Sequence, residues 1–304
     1  MKSTSARRVA LTIALATALT GVAACTSSGG SDAGGKQDDG KAAGRGTTRV
    51  SPIAALRSAE QSTDKADSAR IEATTVMGSM MSLKSEGALA WSDGLNGTLT
   101  LTYTGGTVAD TMRKQLGTTS MEARYLPDAY YAKMGEKFAE QAGGKHWIRY
   151  AYDDLEKLAG SSGAYLKDQM QNTTPNQSVK LLLASGDVKK AGEETVRGVH
   201  TTHYSGTVEV ADLAAKNSSL SASQLAALKK QLEQAGVTTE TIDIWVDDQD
   251  LLVKKVEKGE TATGELTQTA YYSDYGVKVS AQVPPAGDTE DFRALLRKQG
   301  GTTS

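Results

Sequence analysis

Thr98-Leu99-Thr100-Leu101-Thr102-Tyr103-Thr104 alternates a hydroxylated residue with an apolar one along its whole length. Successive side chains of an extended chain point to opposite faces, so this stretch has one apolar face and one hydroxylated face. That is the pattern of a strand in an antiparallel sheet, buried on one side and wet on the other.

The pattern recurs outward from this strand. Ile71 to Met77, Met81 to Trp91, Met121 to Tyr125, Ala129 to Met134 and Trp147 to Tyr150 read as strands, with turns at Gly105-Gly106 and Pro127-Asp128. Further on, Val196 to Val210, Thr239 to Asp247, Leu251 to Glu260, Glu265 to Asp274 and Val277 to Val283 read the same way. Asp247-Asp248-Gln249-Asp250 is a hairpin turn, and Pro284-Pro285 ends the sheet.

Helices interrupt the strands. Ser51 to about Ala69 is weakly amphipathic, with Pro52 early. Thr174-Pro175-Asn176-Gln177 is a capping box before Val179, Leu181, Leu182 and Leu183, stopped by Gly186. Ser221-Ala222-Ser223-Gln224 repeats the box before Leu225, Leu228 and Leu232, ended by Gly236. Asp153 to Gly160 adds a short helical turn, and Asp288 to Lys298 a closing helix. The class is α+β in one unit, with no strand–helix alternation to suggest a parallel sheet.

The ends read differently. Lys2, Arg7 and Arg8 precede an apolar run from Val9 to Leu19, which closes on small residues; residues 1–24 form an export signal. Cys25 follows, and it is the chain's single Cys. Val22-Ala23-Ala24-Cys25 resembles the lipobox of bacterial lipoproteins, in which the Cys sulfur takes a diacylglyceryl group; the bland reading is a secretory signal beside a stray Cys. Arg7-Arg8 also begins a twin-arginine signal, although the residues after it fit that pattern poorly, and the export route stays open. Two acyl chains make a stable anchor, at about 0.8 kcal/mol per buried CH₂, where one holds marginally. The expected location is the cell membrane, lipid-anchored on its extracytoplasmic face. Residues 25–50 are rich in Gly and Ser and carry no aromatic, a flexible tether spanning roughly 25–30 Å. The folded body is expected over 51–299, and 300–304 as a loose tail.

Bulk numbers exclude several classes. One Cys and three His leave no disulfide framework and little for a metal site. Seven Lys/Arg and three Asp/Glu precede Ser51, so the body keeps a net charge of −6. A nucleic-acid binder needs a basic face, and none is present; nor is there a polybasic patch for anionic headgroups. An anchored protein outside the cytoplasm also lacks a supply of ATP or NAD.

The layout, together with Ile242-Asp243-Ile244-Trp245-Val246-Asp247-Asp248-Gln249-Asp250-Leu251-Leu252-Val253-Lys254-Lys255 and Tyr271-Tyr272-Ser273-Asp274-Tyr275-Gly276-Val277-Lys278-Val279, resembles the actinobacterial LppX/LprG lipoproteins of the LolA-like fold. The resemblance implies a strongly curved antiparallel sheet, a half-barrel, wrapping inserted helices around an apolar cavity. It implies carriage or presentation of a lipid or lipoglycan acyl chain at the envelope. A slot for one chain of about fifteen carbons would gain roughly 12 kcal/mol gross. Candidate lining residues are Leu99, Leu101, Tyr103, Met121, Tyr130, Met134, Ile148, Ile242, Ile244 and Val246, with Leu182 and Leu228 from the helices. Met77, Met80 and Met81 offer an adaptable rim. The competing reading of each is ordinary core.

Catalytic and metal patterns are weak. His200 and His203 sit three apart, on opposite faces of a strand. Ser62-Thr63-Asp64-Lys65 matches Ser-x-x-Lys without its companion motifs and reads as the polar face of the first helix. Asp247-Asp248-Gln249-Asp250 lacks EF-hand spacing, and Glu193-Glu194 reads as a solvated strand edge. No catalytic residue, metal or cofactor is assigned. Three functions compete: a lipid carrier with an empty slot, a non-catalytic envelope sensor with a filled core and a membrane-protein partner, and a hydrolase with convergent polar groups.

Overall fold

The structure is a computed structural model and describes residues 51–155, 157, 174–185, 187–209, 238–261 and 264–300. In chain order its elements are α1 (Pro52–Lys65), β1 (Ser68–Met77), β2 (Met81–Ala90), β3 (Asn96–Gly105), α2 (Gly106–Leu116), β4 (Ser120–Tyr125), β5 (Ala129–Lys133), α3 (Glu136–Gln141) and β6 (Trp147–Ala151). Then follow α4 (Asn176–Ser185), β7 (Lys189–Val196), β8 (Val199–Glu209), β9 (Thr239–Asp247), β10 (Leu252–Thr261), β11 (Gly264–Ser273), β12 (Thr289–Asp291) and α5 (Phe292–Gly300). Cys25 with its flanks, the tail 301–304 and the expected helix holding Leu225, Leu228 and Leu232 lie outside the described residues.

β3 carries the alternation of Thr98 to Thr104, and its burial follows it: Leu99, Leu101 and Tyr103 are buried while Thr100 and Thr104 are exposed. The strands form one open twelve-stranded sheet, ordered β12-β6-β5-β4-β3-β2-β1-β11-β10-β9-β8-β7. β1 sits inside the sheet, paired with β2 on one side and β11 on the other, so two meanders grow outward from the β1–β11 seam. Every pairing is antiparallel except that of β12, a short edge strand running parallel to β6. The fold is α+β, one open sheet with few helices.

The helices lie on one face, called here the inner face. α1 and α4 pack over β8 to β11, burying Leu56, Ala59, Val179, Leu181 and Leu182 against them. α2, α3 and α5 contribute Leu116, Phe138 and Phe292 to the apolar surface of β2 to β6. α1 starts where Ser51 caps it, accepting from the Ala54 N–H at 3.2 Å, with Pro52 next. Gly206 of β8 fits under α4 because nothing larger would: a Cβ there would stand 1.7 Å from the Asp187 carbonyl oxygen and 2.6 Å from Leu182 Cδ1.

Several expectations are corrected. α1 stops at Lys65, not near Ala69, because Asp67 takes a left-handed φ of 63° and Ser68 already begins β1. Thr63 is not on the polar face of α1; it is buried and accepts a hydrogen bond from the Leu252 N–H at 3.2 Å. Gly105-Gly106 opens α2, a helix with no side-chain cap to announce it. The stretch from Val196 to Val210 is split by a two-residue turn, Arg197 (φ 50°) and Gly198 (φ 87°), which pairs β8 with an extra edge strand, β7. Glu193 and Glu194 lie in that strand.

Val277 to Val283 alternates in burial but joins no ladder. It runs across the strand ends instead. Gly276 N donates to Ser68 O at 3.0 Å, Ala281 N to Asn96 Oδ1 at 3.1 Å, and Arg124 Nη1 to Gln282 O at 2.9 Å. This strap passes β1, β3 and β4 in turn and delivers β12 to the β6 edge.

Candidate ligand-binding face

The expected lining residues all reach the inner face wherever they are described, but in two clusters. Leu99, Leu101, Tyr103, Tyr130, Met134 and Ile148 are buried in the first, with Met121 packed half-buried against them. Leu182, Ile242, Ile244 and Val246 are buried in the second. Ile71 of β1 touches both. The methionines form no open rim: Met77 and Met81 are buried in the first cluster and only Met80 is half-buried.

A polar seam lies between the two apolar fields. Lys255 and Glu257 share the inward parity of β10, opposite Ile244 and Ile242 of β9. Both are buried, and Ser178 of α4 closes a ring with them. Lys255 Nζ donates to Ser178 Oγ at 2.7 Å and to Glu257 Oε2 at 3.0 Å, while Ser178 Oγ donates to Glu257 Oε1 at 2.5 Å. Desolvating two charges costs several kcal/mol each, roughly, and the ring offsets this by attraction and charge-assisted hydrogen bonds. The ammonium is bound to the carboxylate and the serine proton is spent on the same carboxylate, so the ring holds α4 on the sheet.

The seam continues across strands. Glu257 stands opposite Gln268 of β11, and Gln268 opposite Thr75 of β1. Gln268 Nε2 donates to Thr75 Oγ1 at 3.3 Å, and its buried Oε1 has no partner among the described residues. Glu240 of β9 is half-buried; burial first, and the Glu257 charge second, push its carboxyl up to about 8. In the sequence, Lys255-Val256-Glu257-Lys258 has the look of a solvated strand, which hides this seam. The parity of Leu252 and the pairing with Ile242 and Ile244 were the available signal.

The first cluster ends in a group of tyrosines. Tyr125, Tyr130 and Tyr150 are cross-strand neighbours on β4, β5 and β6. Their ring centroids lie 5.2 and 5.7 Å apart, and Tyr150 continues to Phe292 of α5 at 4.7 Å. Tyr103 and Tyr152 belong to the same cluster. Burial raises every one of these phenols, the Tyr125 hydroxyl to about 12 and that of Tyr130 further, so all are neutral donors at physiological pH. The Tyr152 hydroxyl is sealed from solvent and has no hydrogen-bond partner among the described residues. Tyr103 and Tyr130 are among the expected lining residues; Tyr125 and Tyr150 join them through the strand register, which no local pattern encodes.

On the outer face His203 stacks on Trp245 at 4.2 Å and 6°, and its Nε2 meets Asp243 Oδ1 at 2.7 Å. Lys254 Nζ lies 3.8 Å from the Trp245 ring centroid. His200 turns instead to Asp248 at 3.1 Å, so the two histidines share no site. Among the described residues no three His, Cys, Asp or Glu side chains are grouped to hold a metal.

No family model matches the chain. It is 54% identical over 311 residues to a Streptomyces coelicolor protein named "Putative lipoprotein SCO4650", covering 99% of this chain and 100% of that one. The chain belongs to this family of Streptomyces lipoproteins. A Streptomyces griseus member, a 31.2 kDa protein encoded between rplA and rplJ, is 59% identical over 256 residues, covering 84% of each. Among solved structures, the Mycobacterium tuberculosis lipoprotein LppX aligns with a TM-score of 0.46 at 12% identity, over 76% of this chain and 98% of its own. LprF from Mycobacterium bovis aligns at 0.43 and 13%, over 77% and 97%.

Proposed function

We propose that this lipoprotein is anchored through diacylglyceryl-Cys25 to the extracytoplasmic face of the cell membrane, tethered by residues 25–50. Its body, 51–299, receives a lipid or lipoglycan acyl chain on the inner face of the sheet and carries or presents it at the envelope. It acts by binding, with no cofactor. The observation that carries this reading is one sheet face with two apolar fields, one ending in the tyrosine group and the other reaching Ile242, divided by the polar seam of Lys255 and Glu257 and each with helices laid on it. A chain seated there exchanges water for hydrocarbon contact along its length. The first cluster is the better seat, because the second is filled: Leu182, Ile242, Ile244 and Leu252 have no exposed surface. That filling favours the sensor reading for the β8–β11 half, in which α1 and α4 are core and a membrane protein is the partner.

Native mass spectrometry of the Cys25→Ser chain, purified from its host, tests the proposal. Co-purifying acyl lipid is expected. Repeated preparations free of any lipid, with the fold intact by circular dichroism, overturn the carrier reading.

A further inference from the structure

We infer that α5 is a displaceable cover: it lies over the Tyr150 end of the first apolar field, and an acyl chain enters there as α5 lifts about Asp291. The inference rests on the lipid-binding reading and adds to it the way in.

The first ground is burial. Each of the other four helices sinks at least one side chain fully into the body: Leu56 of α1, Ala109 of α2, Phe138 of α3 and Leu182 of α4 are all buried. From Phe292 to Lys298, α5 sinks none. Phe292, Ala294 and Leu295 are half-buried, and Leu296, Arg297 and Lys298 are exposed. What lies beneath is nonetheless apolar. The Phe292 ring meets that of Tyr150 at 4.7 Å between centroids, Leu295 packs on the same cluster, and Tyr150 is 2% exposed. Stabilisation by burial grows with the apolar area taken from water, so of the five described helices α5 is the one whose lifting costs least.

The second ground is the fastening. Arg293 Nη1 donates to Asp154 Oδ1 at 3.1 Å, and Lys298 Nζ to Glu290 Oε1 at 2.9 Å. The Arg293 and Lys298 side chains are 42% and 67% exposed. Exposed ion pairs are weak and are screened by salt. These ties steer α5 to its seat without locking it.

The third ground is the pivot. Asp291 pairs with Arg149 of β6 in the ladder, and its Oδ2 accepts from Arg149 Nη1 at 3.4 Å. Its Oδ1 caps α5, accepting from the Arg293 and Ala294 N–H groups at 2.9 and 3.4 Å. The cap holds the first turn together whether or not α5 touches the sheet. No described strand follows α5, and Lys145 stays on Glu290 when Lys298 leaves. α5 therefore lifts as a unit and the sheet stays closed.

The test uses the exported chain with Cys25→Ser and cis-parinaric acid, a fluorescent fatty acid, as the probe. Hydrogen exchange at residues 296–300 is expected to run at least about tenfold faster than at residues 180–185 of α4, to rise with salt, and to rise again as the probe binds. A chain ending at Asp291 is expected to bind the probe about tenfold tighter, as for a cover that is lifted in roughly one molecule in ten. Leu295→Asp loosens α5 without shortening the chain and is expected to move the affinity the same way, which keeps the test sound if the shorter chain fails to fold. Protection at 296–300 equal to that of α4 with and without probe, or affinity unchanged or weaker in both variants, overturns the cover and leaves lipid binding standing. Failure of all three chains to bind the probe overturns the lipid-binding reading, and the cover's role with it.

Discussion

Lys255 and Glu257 lie two residues apart on one strand, face the same way, and bring Nζ to within 3.0 Å of Oε2 with side-chain exposures of 6% and 2%. Two charges side by side on the inner face of a sheet are unusual, because alternation normally sends such residues outward. Ser178 makes the arrangement tolerable by completing both partners from the facing helix. The ring thus ties α4 to β10 at the boundary between two apolar fields.

Breaking that ring from one side strands a buried charge. Lys255→Met or Glu257→Gln is expected to cost about 3–5 kcal/mol, whereas Lys255→Met/Glu257→Leu with Ser178→Ala is expected to cost far less than the sum. Urea denaturation of the singles and the combined variant measures this coupling. Additive losses would show that the three groups act independently.

Glu240 sets a pH dependence of definite sign. Its folded carboxyl is raised to about 8 from an ordinary 4.5, burial being the first cause. The folded state therefore keeps a proton that the unfolded chain has released. This contribution is intact below pH 4.5, declines as pH rises toward 8, and is constant beyond. Thermal unfolding across that window is expected to show a falling midpoint, and Glu240→Gln to flatten it. An unchanged slope in the variant would assign the trend to other groups.

Gly206 allows α4 to sit directly on β8. Gly206→Ala would drive its methyl into the Asp187 carbonyl, so either the chain leading out of α4 or β8 must shift. A loss of about 1–3 kcal/mol or more is expected. The same substitution at Gly287, which has open space, is expected to stay within about 0.5 kcal/mol. Denaturant midpoints of the two variants check the contrast.

How much of this was legible depended on whether a residue's role is local. Leu99, Leu101 and Tyr103 announce their face by alternation alone, and the Asp247 turn is written in its Asx chemistry, with Asp247 Oδ1 accepting from Gln249 and Leu251 N–H. β7 is polar on both faces, as an edge strand is free to be, so Lys189 to Glu194 gave no period to read. Val277 to Val283 has the period of a strand without a ladder, because it crosses strand ends rather than lying beside one. The inward turn of Lys255 and Glu257, and the division of the lining residues into two clusters, follow from the β1–β11 pairing. That pairing joins distant parts of the chain, which no local pattern encodes.

The end of the strap, β12, is tied down through Glu290. Its carboxylate is buried, accepts from Lys145 at 2.7 Å and from Lys298 at 2.9 Å, and is held below the usual range first by the Lys145 hydrogen bond and then by that of Lys298. A lowered carboxyl contributes stability that is present above 4.5 and lost as pH falls through its folded value. Glu290→Gln keeps the shape and removes the charge that both lysines need. Hydrogen exchange of residues 286–291 is expected to speed up in the variant at neutral pH, and in the parent only on acidification. The β3 amides, in the sheet interior, are expected to be unaffected in both. Equal protection of 286–291 in parent and variant would mean that the parallel pairing with β6 holds the strap without its charges.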